Sequence, residues 1–141
     1  MSAQQPMILL PVLVQVFLTM MIYIALAIAK TRAIKRGQVD LTRRALHADA
    51  WPESVLKINN SIRSQFEVPT LFYLVTMILW LLDSAGIVAQ VLAWLFVTSR
   101  FVHAYIHLGS NYVPKRLVVF MFGFVVVLIM LGMAVLAVLV P

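Results

Sequence analysis

The residues best equipped for chemistry in this chain fall into two short stretches and one isolated position. Asn60, Arg63, Ser64 and Glu67 follow one another at i, i+3, i+4 and i+7, so on a helix they occupy one face. Arg100, His103 and His107 follow i, i+3 and i+7 and do the same. Arg116 stands at the head of the last apolar run. Its guanidinium would join the free backbone N–H groups of a helix N-terminus, and the two together favour an anion. The planar fork of Arg63 suits bidentate contact with a carboxylate. These residue types are suited to holding a polar, partly anionic ligand.

Both stretches lie inside or at the edge of segments that belong in lipid. An ionisable group at membrane depth costs about 2.5–3.5 kcal/mol by the lower estimates. It persists when it faces a bundle interior, pairs with another charge or touches a polar ligand. Glu67 and Arg100 are expected to form an ion pair, since each is otherwise an isolated charge at or below the membrane edge. Such a pair is a structural feature whatever else the protein does. Asn60, Arg63, His103, His107 and Arg116 exceed what one pair requires, and they point to a ligand.

Other candidates carry less. His103 and His107 at i, i+4 have the spacing of a metal pair, but Glu67 is the only obvious carboxylate nearby, so no metal is expected. There is no cysteine, which excludes a structural disulfide, a Cys metal site and a Cys nucleophile. Any thiol chemistry must use a thiol brought by a ligand. His47 reads as a loop histidine, and the methionines are scattered as packing residues.

Hydrophobic residues make up 63% of the 141 positions, and mean hydropathy is +1.00. Lipid is the solvent for most of this chain. Four runs approach or exceed the roughly 20 apolar residues needed to cross a bilayer: Met7–Ala29, Phe66–Leu82 with a polar lead-in from Ser61, Ala85–Leu108 and Leu117–Val140. The expectation is an all-α, antiparallel four-transmembrane-helix bundle in a single domain over 1–141, with helices at about 7–29, 61–83, 85–108 and 115–140. The loop of about 30–60 is the only sizeable region outside lipid, and Ser54–Ser61 could begin the second helix early. The first run is too long for a signal peptide's core and is read as a retained membrane helix.

The tight turn Asp83–Gly86 makes the second and third helices antiparallel neighbours, so their polar stripes can meet. Pro69 falls in the second helix's early turns, where a kink would free a backbone carbonyl toward the polar cluster. Were Arg100 outside the bilayer, Ala85–Ser99 would supply only fifteen residues, or roughly 22 Å at about 1.5 Å each. That is short of the roughly 30 Å hydrocarbon core. Arg100 belongs within the slab.

The formal charge is +6. Every Lys and Arg falls on the side of the first and third connections or at that side's membrane edge, Arg100 a few turns below the third, and the N-terminal tail, the second connection and the C-terminus have none. The positive-inside rule puts those two connections in the cytoplasm and both termini outside. Basic residues gathered at membrane boundaries touch anionic headgroups rather than nucleic acid.

The stretches "NSIRSQFEVPTLF" and "SRFVHAYIHLGSNYVPKR" resemble the two signature regions of the MAPEG superfamily. These are small four-helix integral membrane proteins that include microsomal glutathione transferases, leukotriene C synthase and the microsomal prostaglandin E synthase. The resemblance covers nearly the whole chain: helix count, long basic first loop, tight second loop and both motifs. It implies a homotrimer with glutathione sites between neighbouring subunits near the cytoplasmic face, and lipids as the surrounding partner. By position, Arg63 and Glu67 match the family's helix-two Arg and Glu, and Arg100 and His103 match the helix-three Arg and His of the prostaglandin synthase branch. Arg116 falls where that branch has the arginine credited with stabilising the glutathione thiolate. Asn60 stands where the glutathione-binding pattern has Arg, Ser64 where it has Asn, and His107 replaces a Tyr; Tyr105 and Tyr112 are near but out of register.

Together these features imply an integral protein of a bacterial inner membrane, with periplasmic termini. The expected activity is glutathione- or related-thiol-dependent transfer or peroxide reduction on lipophilic, apolar electrophiles. The alternative is a membrane scaffold or accessory subunit that has kept the fold without thiol binding. A transporter is disfavoured, since a one-sided polar cluster gives no track across the bilayer. Reporter fusions at Pro141 should be active only for a periplasm-dependent reporter, and cytoplasmic activity there would overturn the orientation.

Overall fold

A computed structural model describes residues 5–140 of the chain. Four helical stretches are long and apolar enough to cross a membrane: Pro6–Lys35, Glu53–Leu81, Ile87–Leu108 and Val113–Leu139. No strand occurs among the described residues. The molecule is an all-α membrane bundle built from α1 (Leu9–Lys35), α2 (Glu53–Gln65), α3 (Val68–Leu81), α4 (Ile87–Leu108) and α5 (Val113–Leu139).

The first helix continues past Ala29 to Lys35, because nothing between them breaks a helix. It stops at Gly37, whose φ of +65° lies in the left-handed region. There the amides of Gly37 and Gln38 return to the carbonyls of Ile34 and Ala33, both at 3.0 Å, a pairing that satisfies the last turn. In the loop beyond, the Asp40 carboxylate accepts from the Thr42 hydroxyl at 2.7 Å and from the Thr42 amide at 3.0 Å. These bonds hold its pKa below the ordinary value. Asp49 is likewise held down by Arg43, which it meets at 2.8 Å.

The second span is two helices rather than one. α2 begins at Glu53, immediately after Pro52, and ends at Gln65. Pro69 stands in the first turn of α3; it has no N–H to continue α2's hydrogen-bond ladder, and its ring clashes with a carbonyl four residues back. The chain therefore leaves helical geometry at Glu67, with ψ at −105°.

Packing departs from the expected hairpin. α4 packs most extensively on α5, and α3 also leans on α5, whereas α3 and α4 touch little despite the tight turn between them. The second span meets α4 mainly through α2, at the end where the polar stripes lie. In lipid, apolar side chains gain nothing by leaving one hydrocarbon for another, so small residues and close fit decide which helices associate. Ala89 and Ala93 are wholly buried. Phe72 stacks on Phe96 with ring centroids 4.4 Å apart. At Gly123 a Cβ would come within 2.9 Å of the Ser99 hydroxyl, so this glycine sets the approach of α4 to α5.

Two apolar clusters form the interior. One runs through Val68, Phe72, Leu79, Phe96 and Met130, the other through Leu18, Ile22, Leu26, Val55 and Ile62. Between them in chain order on α1, α2 and α4 lies a polar layer of Gln15, Gln65 and Arg100, each no more than 2% exposed. Gln15 donates to Gln65 at 2.9 Å and so ties α1 to α2.

Candidate functional site

At the end of the bundle that carries the basic connections, α2, α4 and the start of α5 enclose a partly open cavity of about 550 Å³. Small-molecule sites span roughly 300–1,000 Å³. α2 contributes Asn60, Arg63 and Ser64; the junction with α3 contributes Glu67; α4 contributes His103 and His107; α5 contributes Val113, Arg116, Leu117 and Phe120. Seven of the eight residues singled out in the sequence thus meet around one space. Asn60, Arg63 and Glu67 are exposed along it, while Ser64, His103 and His107 are buried in its wall.

Arg100 is the exception. Its side chain is 2% exposed and does not line the cavity. Nη2 donates to the Ser64 hydroxyl at 3.0 Å and to the Ser64 backbone carbonyl at 3.2 Å. The expected Glu67–Arg100 ion pair is not formed, for the only ion pair among the described residues is Arg43 with Asp49. The helix break explains the exchange of partners. Because the backbone leaves helical geometry at Glu67, the Val68 amide does not return to the Ser64 carbonyl, which is left for Arg100, and Glu67 sits exposed at the break. A carbonyl and a hydroxyl meet Nη2 without burying a carboxylate, whose desolvation would offset much of its attraction, while Nε stays buried without a partner.

Arg116 is held from α4. Its Nη1 donates to the Asn111 side-chain oxygen and lies 3.3 Å from Nε2 of His107. A guanidinium can only donate, so Nε2 accepts and the ring proton of His107 sits on Nδ1. That Nδ1 is buried without a partner, as is Nδ1 of His103. The two rings are 5.8 Å apart, and among the described residues no group of three or more His, Cys, Asp or Glu gathers as metal donors.

Asn111 escaped the sequence reading. It occupies the turn after α4 with φ at +52°, a left-handed conformation that Asn tolerates better than most residues. The signal was present as Gly109-Ser110-Asn111, a turn sequence placed shortly before a candidate anion-binding arginine. Val113, Leu117 and Phe120 were also missed, because an apolar lining looks like any other lipid-facing helix. Tyr105 and Tyr112 are 81% and 54% exposed and line no part of the cavity.

The wall therefore offers two guanidinium groups, one carboxylate and an apolar floor on α5. A family model described as the MAPEG family matches residues 8–136, nearly the whole chain. The chain belongs to the MAPEG family. No curated protein and no solved structure matches it. As a MAPEG chain it is an integral membrane protein of the glutathione and eicosanoid metabolism superfamily.

The partner exchange at Arg100 has a measurable consequence in this MAPEG protein. Ser64→Ala removes a hydrogen bond to a buried charged group and should cost about 1.5–3 kcal/mol. Glu67→Gln changes an exposed side chain and should stay within about 0.5 kcal/mol. Thermal denaturation of the detergent-solubilised protein separates the two, and an equal or larger loss for Glu67→Gln would reinstate the ion pair.

Proposed function

We propose that this protein is a glutathione- or related-thiol-dependent transferase or peroxidase acting on apolar electrophiles dissolved in lipid. The carrying observation is the convergence of Arg63, Glu67 and Arg116 on one cavity whose floor is apolar. Two cations and one carboxylate match the ligand chemistry of a peptide with carboxylates, an ammonium group and a thiol. Arg63 clamps a carboxylate in bidentate fashion. Glu67, free of Arg100, is available for the amino group. Arg116, fixed by Asn111 and His107, presents positive charge beside the start of α5, where an ionised sulfur is stabilised. Glutathione supplies the nucleophilic thiol in this scheme. Leu117 and Phe120 offer the apolar partner a surface continuous with the lipid-facing side of α5.

A second reading also has an observation behind it. Ser64 is already engaged with Arg100, and His107 with Arg116, so both have contacts within the chain instead of facing a ligand freely. Together with Asn60 in place of the family's Arg, this favours a scaffold or accessory subunit that binds no thiol.

Ultraviolet thiolate absorbance on adding glutathione decides between them. The enzyme reading expects a signal in the wild type and none in Arg116→Leu. Each pKa unit by which the thiol is lowered corresponds to about 1.4 kcal/mol. Asn111→Gly keeps the left-handed backbone but releases Arg116, and should give a weakened signal. No signal in the wild type at saturating glutathione defeats the enzyme reading.

We also infer a homotrimer in a bacterial inner membrane with periplasmic termini. Arg63 and Glu67 lie exposed on a bundle otherwise bathed in lipid, and a neighbouring subunit would cover the polar opening at lower cost than hydrocarbon. Native mass spectrometry from mild detergent should show three copies; a monomer in every detergent would count against a site completed between subunits.

A further inference from the structure

We propose that a second cavity, formed where the end of α1 meets the first connection and α2, holds the phosphate of an anionic membrane phospholipid. This cavity of about 210 Å³ is lined by Lys30, Arg44, Leu46, His47, Trp51 and Asn59, among others, and by no carboxylate. The Lys30 ammonium lies 5.0 Å over the Trp51 ring, an arrangement that holds a cation in place without neutralising it. Trp51 Nε1 donates to the Arg44 carbonyl at 3.1 Å, so the indole also fixes the segment that carries Arg44 and His47. The nearby carboxylates are engaged elsewhere, Asp49 with Arg43 and Asp40 with Thr42. Lys30 and Arg44 have no ion-pair partner among the described residues. One cation held over an indole and a second on the segment which that indole anchors line one space that no acidic side chain fills.

Leu46 identifies the source of the anion. It lines the same cavity yet is 90% exposed, and Leu41 on the same connection is 60% exposed. Large aliphatic side chains beside unpaired cations suit the boundary between headgroups and acyl chains, where Trp is also at home. A phospholipid presents both an anionic phosphate and adjoining hydrocarbon. Free phosphate would use the cations and leave the leucines unexplained.

The test is native mass spectrometry of the full-length protein in non-ionic detergent, titrated with phosphatidylglycerol or with phosphatidylcholine of the same acyl chains. Phosphatidylglycerol should bind first, at one molecule per chain. The Lys30→Gln, Arg44→Gln double variant should weaken its binding by about tenfold or more. Leu46→Ser should weaken it too, whereas Arg36→Gln, an exposed cation outside the cavity, should leave it unchanged. Should Lys30→Gln disturb folding, Arg44→Gln alone on the exposed loop carries the test. Equal affinity for the two lipids, or an equal loss in Arg36→Gln, would show diffuse attraction and overturn the proposal. Displacement of the lipid by millimolar inorganic phosphate, with Leu46→Ser unaffected, would make this a soluble-anion site and overturn it as well.

Discussion

A guanidinium buried within a membrane-spanning helix governs the architecture of this protein. Arg100 cannot reach water, and its charge must be met by groups the bundle itself supplies. The bundle meets it with Ser64, through both hydroxyl and backbone carbonyl. That carbonyl is available because the backbone leaves helical geometry at Glu67, and α2 must lie against α4 for the contact to exist. The same interruption turns Glu67 toward the cavity. One break in the second span thus bears both on how a buried charge is met and on where an exposed carboxylate is placed.

The polar layer around Arg100 gives the helices directional contacts that hydrocarbon packing lacks. The Gln15–Gln65 hydrogen bond fixes α1 on α2, while the Gly123–Ser99 approach fixes α5 on α4. Hydrogen bonds between membrane helices contribute modestly, on average about 0.6 kcal/mol. Their larger effect is to set register, since a slip of one residue would carry an amide into an apolar cluster.

Within the cavity, charge is positioned before any ligand arrives. Asn111 and His107 hold Arg116 from two sides, so its guanidinium need not be ordered during binding. The smaller basic cavity by Trp51 uses the other turns of α2 together with α1 and the first connection, and the two cavities share no residue.

Hydropathy was enough to read the four spans, and helical spacing was enough to pick out six residues that share the cavity. These properties are local or additive along the chain, so the sequence determined them by itself. The partner of Arg100 was not legible, because choosing Ser64 over Glu67 depends on how the break at Pro69 rotates the chain and on the desolvation a carboxylate would suffer. Nor was the insertion of α5 beside α3 and α4, which rests on the fit of Gly123, Ser99 and Phe96 rather than on loop length. Asn111 became meaningful only once its turn was seen to point at Arg116. Sequence set which residues are polar and at what depth they lie; tertiary structure decided which of them touch, because contact is fixed by backbone geometry and by the cost of leaving a polar group unmet.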